Sequence, residues 1–216
     1  MTERASDIAR DLLRIGAVAL RPEDPFTWAS GRLSPVYTDN RLMLSYPDTR
    51  DRVLNGLTDL LASMSTDVDA VSAAATAGIP MGTLLADRQR LPLSYVRSAA
   101  KAHGRQNQIE GRVQRGARVV IVEDLVSTGG SVLHVANVLR DAGAHVAGVL
   151  AVFTYGLNAA VAAFDEAGVP LHALVTLDDL AATAQASGAL SRDELDTLSD
   201  WRRDPSAWSV ERGGAA

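Results

Sequence analysis

Val119-Val-Ile-Val-Glu-Asp-Leu-Val-Ser-Thr-Gly-Gly-Ser131 decides how this chain is read. Its first four residues are a continuous β-branched run, the pattern of a strand buried on both faces. The strand is expected to end in two carboxylates, Glu123 and Asp124. A short loop then leads to Ser127-Thr-Gly-Gly-Ser131, which opens a helix. The two glycines let the backbone approach a ligand closely. Backbone N–H groups and hydroxyls at a helix N-terminus make an anion site, although one hydroxyl can serve instead as the helix N-cap. Two acids just before an anion cradle would repel a free phosphate. They suit a ligand that also carries ribose hydroxyls or brings a metal cation, and a sugar phosphate meets both conditions. A bare Ser-Thr-Gly-Gly would read as an ordinary capped turn; the whole run does not.

Outward from this run, strands and helices alternate. Helical spacing predicts helices over 3–15 and 48–64, the second with Pro47 at its start. A buried strand over 69–74 leads into Thr76-Ala-Gly-Ile-Pro-Met-Gly82, a turn that opens a helix reaching about Arg90. Leu93 to Val96 is a short strand, and Arg97 to Gly111 is polar and without period, a loop. Beyond the central run come helix 131–142, strand 145–153, helix 157–167, strand 171–175 and two C-terminal helices. This order implies an α/β fold with a mainly parallel sheet flanked by helices. The polar segments at Thr76, Arg97 and Glu123 each follow a strand, so they should gather at the carboxyl edge, where such sheets bind ligands. Arg21 to Asn40 is irregular and rich in Pro, Ser and Gly, and such stretches inside compact domains are usually functional.

Composition narrows the classes. The chain has 216 residues, 47% hydrophobic and 22% charged, with net charge −5 and no cysteine. Thiolate zinc sites and disulfide frameworks are excluded, and the charge gives no support to a nucleic-acid partner. The first residues show no signal-peptide core. The longest apolar stretch, Val146 to Phe153, is too short to span a membrane. The expectation is a cytoplasmic protein in one domain over 1–216, with Arg212-Gly-Gly-Ala-Ala216 as its loose tail.

The central run resembles the phosphoribosyl pyrophosphate (PRPP) signature of type I phosphoribosyltransferases. Two more segments are similar to those of orotate phosphoribosyltransferases within that family. Tyr95-Val-Arg-Ser-Ala-Ala-Lys-Ala-His-Gly104 with Asn107-Gln-Ile-Glu-Gly111 resembles their catalytic loop. Phe26-Thr-Trp-Ala-Ser-Gly-Arg-Leu-Ser-Pro-Val-Tyr-Thr-Asp-Asn-Arg41 resembles their orotate-side hood. The resemblance implies the type I phosphoribosyltransferase fold, with a hood formed largely by 1–45 to which C-terminal residues can add. It departs at Ala29 and Ser98, where some members carry lysine, and at Tyr155, where some carry arginine.

The resemblance also implies roles. PRPP would be held by Thr76, Ala77 and Gly78, by Arg97, Lys101 and His103, by Glu123 and Asp124, and by the loop Leu125, Val126, Ser127, Thr128, Gly129, Gly130 and Ser131. Lys101, His103 and Asp124 would be catalytic. Orotate would meet Ser30, Gly31, Tyr37 and Ser127. Mg²⁺ would be the cofactor, carried mainly by PRPP without a direct protein ligand set. The reaction would join orotate to PRPP, giving orotidine 5′-phosphate and pyrophosphate in pyrimidine (UMP) biosynthesis. A homodimer is implied, with loop 97–111 completing the neighbouring site. A purine phosphoribosyltransferase or a PRPP-binding regulator would share the central run. The hood segment disfavours the first, and Lys101 with the lack of a basic extension disfavours the second.

Overall fold

A computed structural model describes residues 2–98 and 108–216. The chain divides into two compact units: Met1–Arg50 with Thr154–Asn158 and Val175–Ala216, and Asp51–Phe153 with Ala159–Leu174.

In chain order the elements are α1 (Glu3–Arg14), β1 (Val18–Leu20), β2 (Phe26–Thr27), β3 (Leu33–Ser34), β4 (Val36–Thr38), a 3₁₀ helix (Asn40–Ser45), α2 (Pro47–Ser63), β5 (Ala70–Ala74), α3 (Gly78–Gln89) and β6 (Leu93–Val96). There follow β7 (Ile109–Gly111), β8 (Arg118–Val126), α4 (Gly130–Asp141), β9 (His145–Thr154), α5 (Asn158–Ala167), β10 (Leu171–Thr176), α6 (Leu177–Ala186), α7 (Arg192–Arg203) and α8 (Pro205–Glu211).

The second unit is built on a six-stranded sheet in the order β10-β9-β8-β5-β6-β7. β5 pairs in parallel with β6 and with β8, and β7 runs antiparallel to β6 at the edge. Val119 to Val122 of β8 and Val149 to Phe153 of β9 are fully buried, as strands covered on both faces must be. The buried hydroxyls of Ser72 and Ser94 satisfy each other across β5 and β6 at 3.1 Å. At the amino end of the same sheet, Arg118 makes a two-pronged pair with Asp69, Nε–Oδ2 at 2.9 Å and Nη2–Oδ1 at 2.8 Å, which pins the β5–β8 register.

In the first unit, α1 buries Ile8, Ala9 and Leu12 and packs on α6. Both α6 and α7 begin with reciprocal capping boxes, Thr176 with Asp179 and Ser191 with Glu194, which fix their starts. The short antiparallel pairs β1–β4 and β2–β3 replace the irregular stretch expected over 21–40.

Four expectations are corrected. Residues 109–111 form a strand rather than part of a loop; a three-residue edge strand is too short to show a period. β8 does not end at the acids but runs on through Glu123 and Asp124 to Val126, where Val126 is itself buried. Three helices rather than two follow β10, since Pro205 at the helix start and the Asp204 cap begin α8 immediately after α7. The tail is not loose: the amide of Ala215 donates to the carbonyl of Gly31 at 2.9 Å.

Candidate active site

The parallel register brings three strand ends to one edge. Ala74 lies opposite Val96, and Ala73 opposite Val122. Thr76 and Arg97 therefore leave the sheet near the level of Glu123, which itself stays within β8. The peptide between Ala75 and Thr76 is cis. α3 starts at Gly78 with no side-chain cap. A Cβ on Gly78 would run into the carbonyl oxygen of Val122, with Glu123 Cα at 3.3 Å. Glycine is required there by the close approach of α3 to β8 beside the acids.

Glu123 is buried and Asp124 half-buried. Burial is the main force pushing the Glu123 carboxyl up, to about 8; the hydrogen bond and the charge of Asp124 add to it. At neutral pH this puts a largely neutral carboxyl beside a second acid. Holding that proton relieves both the burial of charge and the repulsion between the two acids, and strongly perturbed groups mark candidate sites.

The phosphate loop follows directly. Ser127 is half-buried, Thr128 and Ser131 are exposed, and Gly129 takes φ +87 as the N-cap residue of α4 without a side-chain cap. The alternative of a hydroxyl as the N-cap of this helix is thereby removed. Among the described residues no side chain caps the first-turn amides of Gly130, Ser131 and Val132, and the helix dipole favours an anion in front of them. Gly129 is needed by the fold itself: besides its positive φ, a Cβ would meet the Phe164 ring at 2.9 Å. Gly130 is different, since a Cβ there would meet no other atom of the described residues within 4 Å. Leu125 and Val126, assigned by sequence to this loop, belong to the strand.

Arg97 extends β6 by one residue. Its amide donates to Gln108 O at 2.9 Å, and Gln108 Nε2 donates back to Arg97 O at 3.2 Å. Its guanidinium stands 3.7 Å from Glu110, both side chains partly exposed. An exposed pair of this kind contributes about 0–1 kcal/mol, so the guanidinium is readily available to a more strongly charged partner. Gln108 also contacts His134 of α4 at 3.0 Å between Nε2 atoms. Sequence reasoning assigned no part to Gln108, and no local pattern would have singled it out. Lys101 and His103 lie outside the described residues.

The remaining predicted residues lie in the first unit. Ser30 and Gly31 form the turn between β2 and β3, with Gly31 at φ +83. Tyr37 is 46% exposed, and its ring lies 5.6 Å from that of Phe26, tilted by 42°. Tyr155, at the position where some relatives of the motif carry arginine, is a packing residue here: 4% exposed, its hydroxyl on Thr38 Oγ1 at 3.0 Å. Its ring meets Trp201 at 5.3 Å and Trp28 at 6.4 Å.

A sheet edge with a PRPP-type run, two uncapped helix starts and paired acids defines a phosphoribosyltransferase site, and the family described as "Phosphoribosyl transferase domain" matches residues 50–164. The orotate phosphoribosyltransferase of Bacillus pumilus is 50% identical over 202 residues, covering 94% of this chain and 95% of the relative. That of Streptococcus mutans is 48% identical over 204 residues, covering 94% and 98%. The crystal structure of orotate phosphoribosyltransferase from Aeropyrum pernix superposes with TM-score 0.73 at 33% identity, covering 85% of this chain and 99% of that one. The chain belongs to the orotate phosphoribosyltransferase family of phosphoribosyl-transferring enzymes.

Proposed function

We propose that this chain transfers the 5-phosphoribosyl group of PRPP to orotate, giving orotidine 5′-phosphate and pyrophosphate, with PRPP held along the carboxyl edge of β5, β6 and β8. The observation that carries this reading is the run of β8 through Glu123 and Asp124 into the uncapped start of α4.

The 5′-phosphate would be bound by the amides of Gly130, Ser131 and Val132 and the hydroxyls of Ser127, Thr128 and Ser131. Glu123 and Asp124 would accept hydrogen bonds from the ribose hydroxyls. As pyrophosphate leaves the anomeric carbon, positive charge grows on the ribose ring and negative charge on the leaving group. Asp124, the more accessible acid, would favour the first. The guanidinium of Arg97 would favour the second, releasing Glu110 to make bidentate contacts. The turn of Thr76, Ala77 and Gly78, at the uncapped start of α3, lies at the same edge and would take pyrophosphate oxygens. Lys101 and His103 are assigned on sequence alone as further donors to pyrophosphate. Ser30, Gly31, Tyr37 and Ser127 are assigned to orotate on the same basis.

The donor set fits Mg²⁺, which prefers oxygen ligands and keeps much of its shell from substrate and water. Two adjacent carboxylates are present, and among the described residues no group of three His, Asp or Glu could hold a metal. Bound with PRPP, the ion would supply charge neutralisation of the leaving pyrophosphate.

The protein is further proposed to act in the cytoplasm, as a homodimer. No helix among the described residues is long and apolar enough to cross a membrane. The test of the reaction is orotate consumption followed by ultraviolet absorbance with PRPP and Mg²⁺, beside hypoxanthine and uracil. Orotate alone should be consumed; turnover of hypoxanthine instead would reassign the substrate to the purines.

A further inference from the structure

The turn that carries Ser30 and Gly31 belongs to a hairpin of two two-residue strands, Phe26–Thr27 and Leu33–Ser34. Two-stranded hairpins are marginal alone even when longer, so something else must hold this turn. Within it, Gly31 N donates to Trp28 O and Trp28 N to Arg32 O, each at 2.8 Å. The rest comes from residues 209–215. The hydroxyl of Ser209, itself fully buried, accepts from Leu33 N at 2.9 Å and donates to Ala215 O at 2.6 Å. The amide of Ala215 in turn donates to Gly31 O at 2.9 Å, and Gly214 N donates to Ser209 O at 2.9 Å. Both backbone groups of Ala215 are thereby tied to the turn, one directly and one through a hydroxyl. Gly214 permits the approach, since a Cβ there would meet Leu33 Cγ at 2.8 Å and Leu33 N at 3.1 Å.

We infer that Ser209 is a positioning residue for base binding: through Ala215 it clamps the Ser30–Gly31 turn in the conformation that receives orotate. The inference rests on the proposed assignment of that turn to orotate. The clamp acts only within the first unit, and the groups assigned to PRPP all lie in the second. Loss of the clamp should therefore separate the two substrates kinetically, which a general loss of stability would not do.

The test is steady-state kinetics of the full chain and of Ser209→Ala, with both substrates varied. The KM for orotate should rise about tenfold, the scale of one lost buried hydrogen bond, while the KM for PRPP stays at its original value. A second variant, deletion of residues 214–216, keeps the Ser209 hydroxyl but removes Ala215, and should give the same split. Circular dichroism melting accompanies both. Equal rises in the two KM values overturn the inference, as does an unchanged orotate KM in a folded variant. Failure of both variants to fold also overturns it, since the contacts would then belong to the core. If the unaltered chain does not consume orotate, the functional reading fails, and that result is separate from any of these.

Discussion

The side chain of Glu123 folds back on its own strand, so that Oε1 accepts a hydrogen bond from the amide of Asp124 at 3.1 Å. One acid is thus buried and tied to the backbone, while the next stays half-accessible at the sheet edge. The two carboxylates are adjacent in sequence but chemically unequal. Neighbouring titratable groups with separated affinities for the proton are how sites divide roles.

This inequality predicts a pH dependence of stability. The Glu123 carboxyl is pushed up to about 8 in the folded chain, mainly by burial, from an ordinary value near 4.5. The folded state therefore holds a proton that the unfolded chain has released. The stabilising contribution is fully present below about pH 4.5 and is lost as pH rises through about 8. Its upper size is about 5 kcal/mol, at about 1.4 kcal/mol for each tenfold change in ionisation constant. Glu123→Gln removes the titration and should flatten stability across this window. Urea unfolding of both proteins at several pH values checks it; parallel curves would show that Glu123 ionises normally.

The two glycines of the phosphate loop should behave differently. Gly129→Ala places a side chain at φ +87 against Phe164, which should cost about 2 kcal/mol or more of stability. Gly130→Val meets no other atom of the described residues within 4 Å of its Cβ, so its stability should change little, while PRPP affinity falls about a hundredfold by steric conflict with the 5′-phosphate. Thermal melting and PRPP calorimetry on both variants decide the matter. Wild-type affinity in folded Gly130→Val would move the phosphate elsewhere.

Asp124→Asn removes charge with little change of volume. If Asp124 favours the developing positive charge on ribose, kcat should fall about 10- to 1000-fold, the range for one preorganised electrostatic group. The same substitution should lower the Glu123 carboxyl only in part, because burial rather than Asp124 is the larger cause of its shift. An unchanged kcat would leave the role to Glu123 or to neither.

The parts of this architecture that were legible in the sequence are those with a period or a punctuation mark. Pro47 and the apolar spacing behind it fixed α2 to within a residue, and Val119 to Val122 announced a central strand. Gly129 and Gly130 marked the loop before α4. What escaped detection depends on partners far along the chain. Ile109-Glu-Gly111 becomes a strand only because β6 lies beside it. Gly213-Gly-Ala-Ala216 has the composition of a frayed end, yet its backbone finds Gly31 and Ser209. Tyr155 could be flagged as a departure from the motif, but its burial against Trp201 and Trp28 arises from residues more than forty positions away. Gln108, which braces the backbone of Arg97, carries no signal beyond being polar.

The proposed homodimer makes a prediction about Lys101, whose role comes from sequence. The β6–β7 hairpin fixes both ends of the segment between Arg97 and Gln108. That segment is long enough for its middle to stand well away from its own strand end, and two-fold dimers are the commonest assembly. If Lys101 of one chain serves the Asp124 of its partner, two impaired variants should rescue each other. Lys101→Ala and Asp124→Asn are mixed under conditions that exchange subunits. In a mixed dimer one site then receives both defects and the other none. Random exchange makes about half of the dimers mixed, each with one good site of two, so activity should recover to about a quarter of wild type at most. A segment serving its own subunit gives every site one defect and no recovery. Size-exclusion chromatography must first show dimers, and exchange of a tagged with an untagged subunit must be confirmed. Persistent impairment after confirmed exchange would place Lys101 in its own subunit's site.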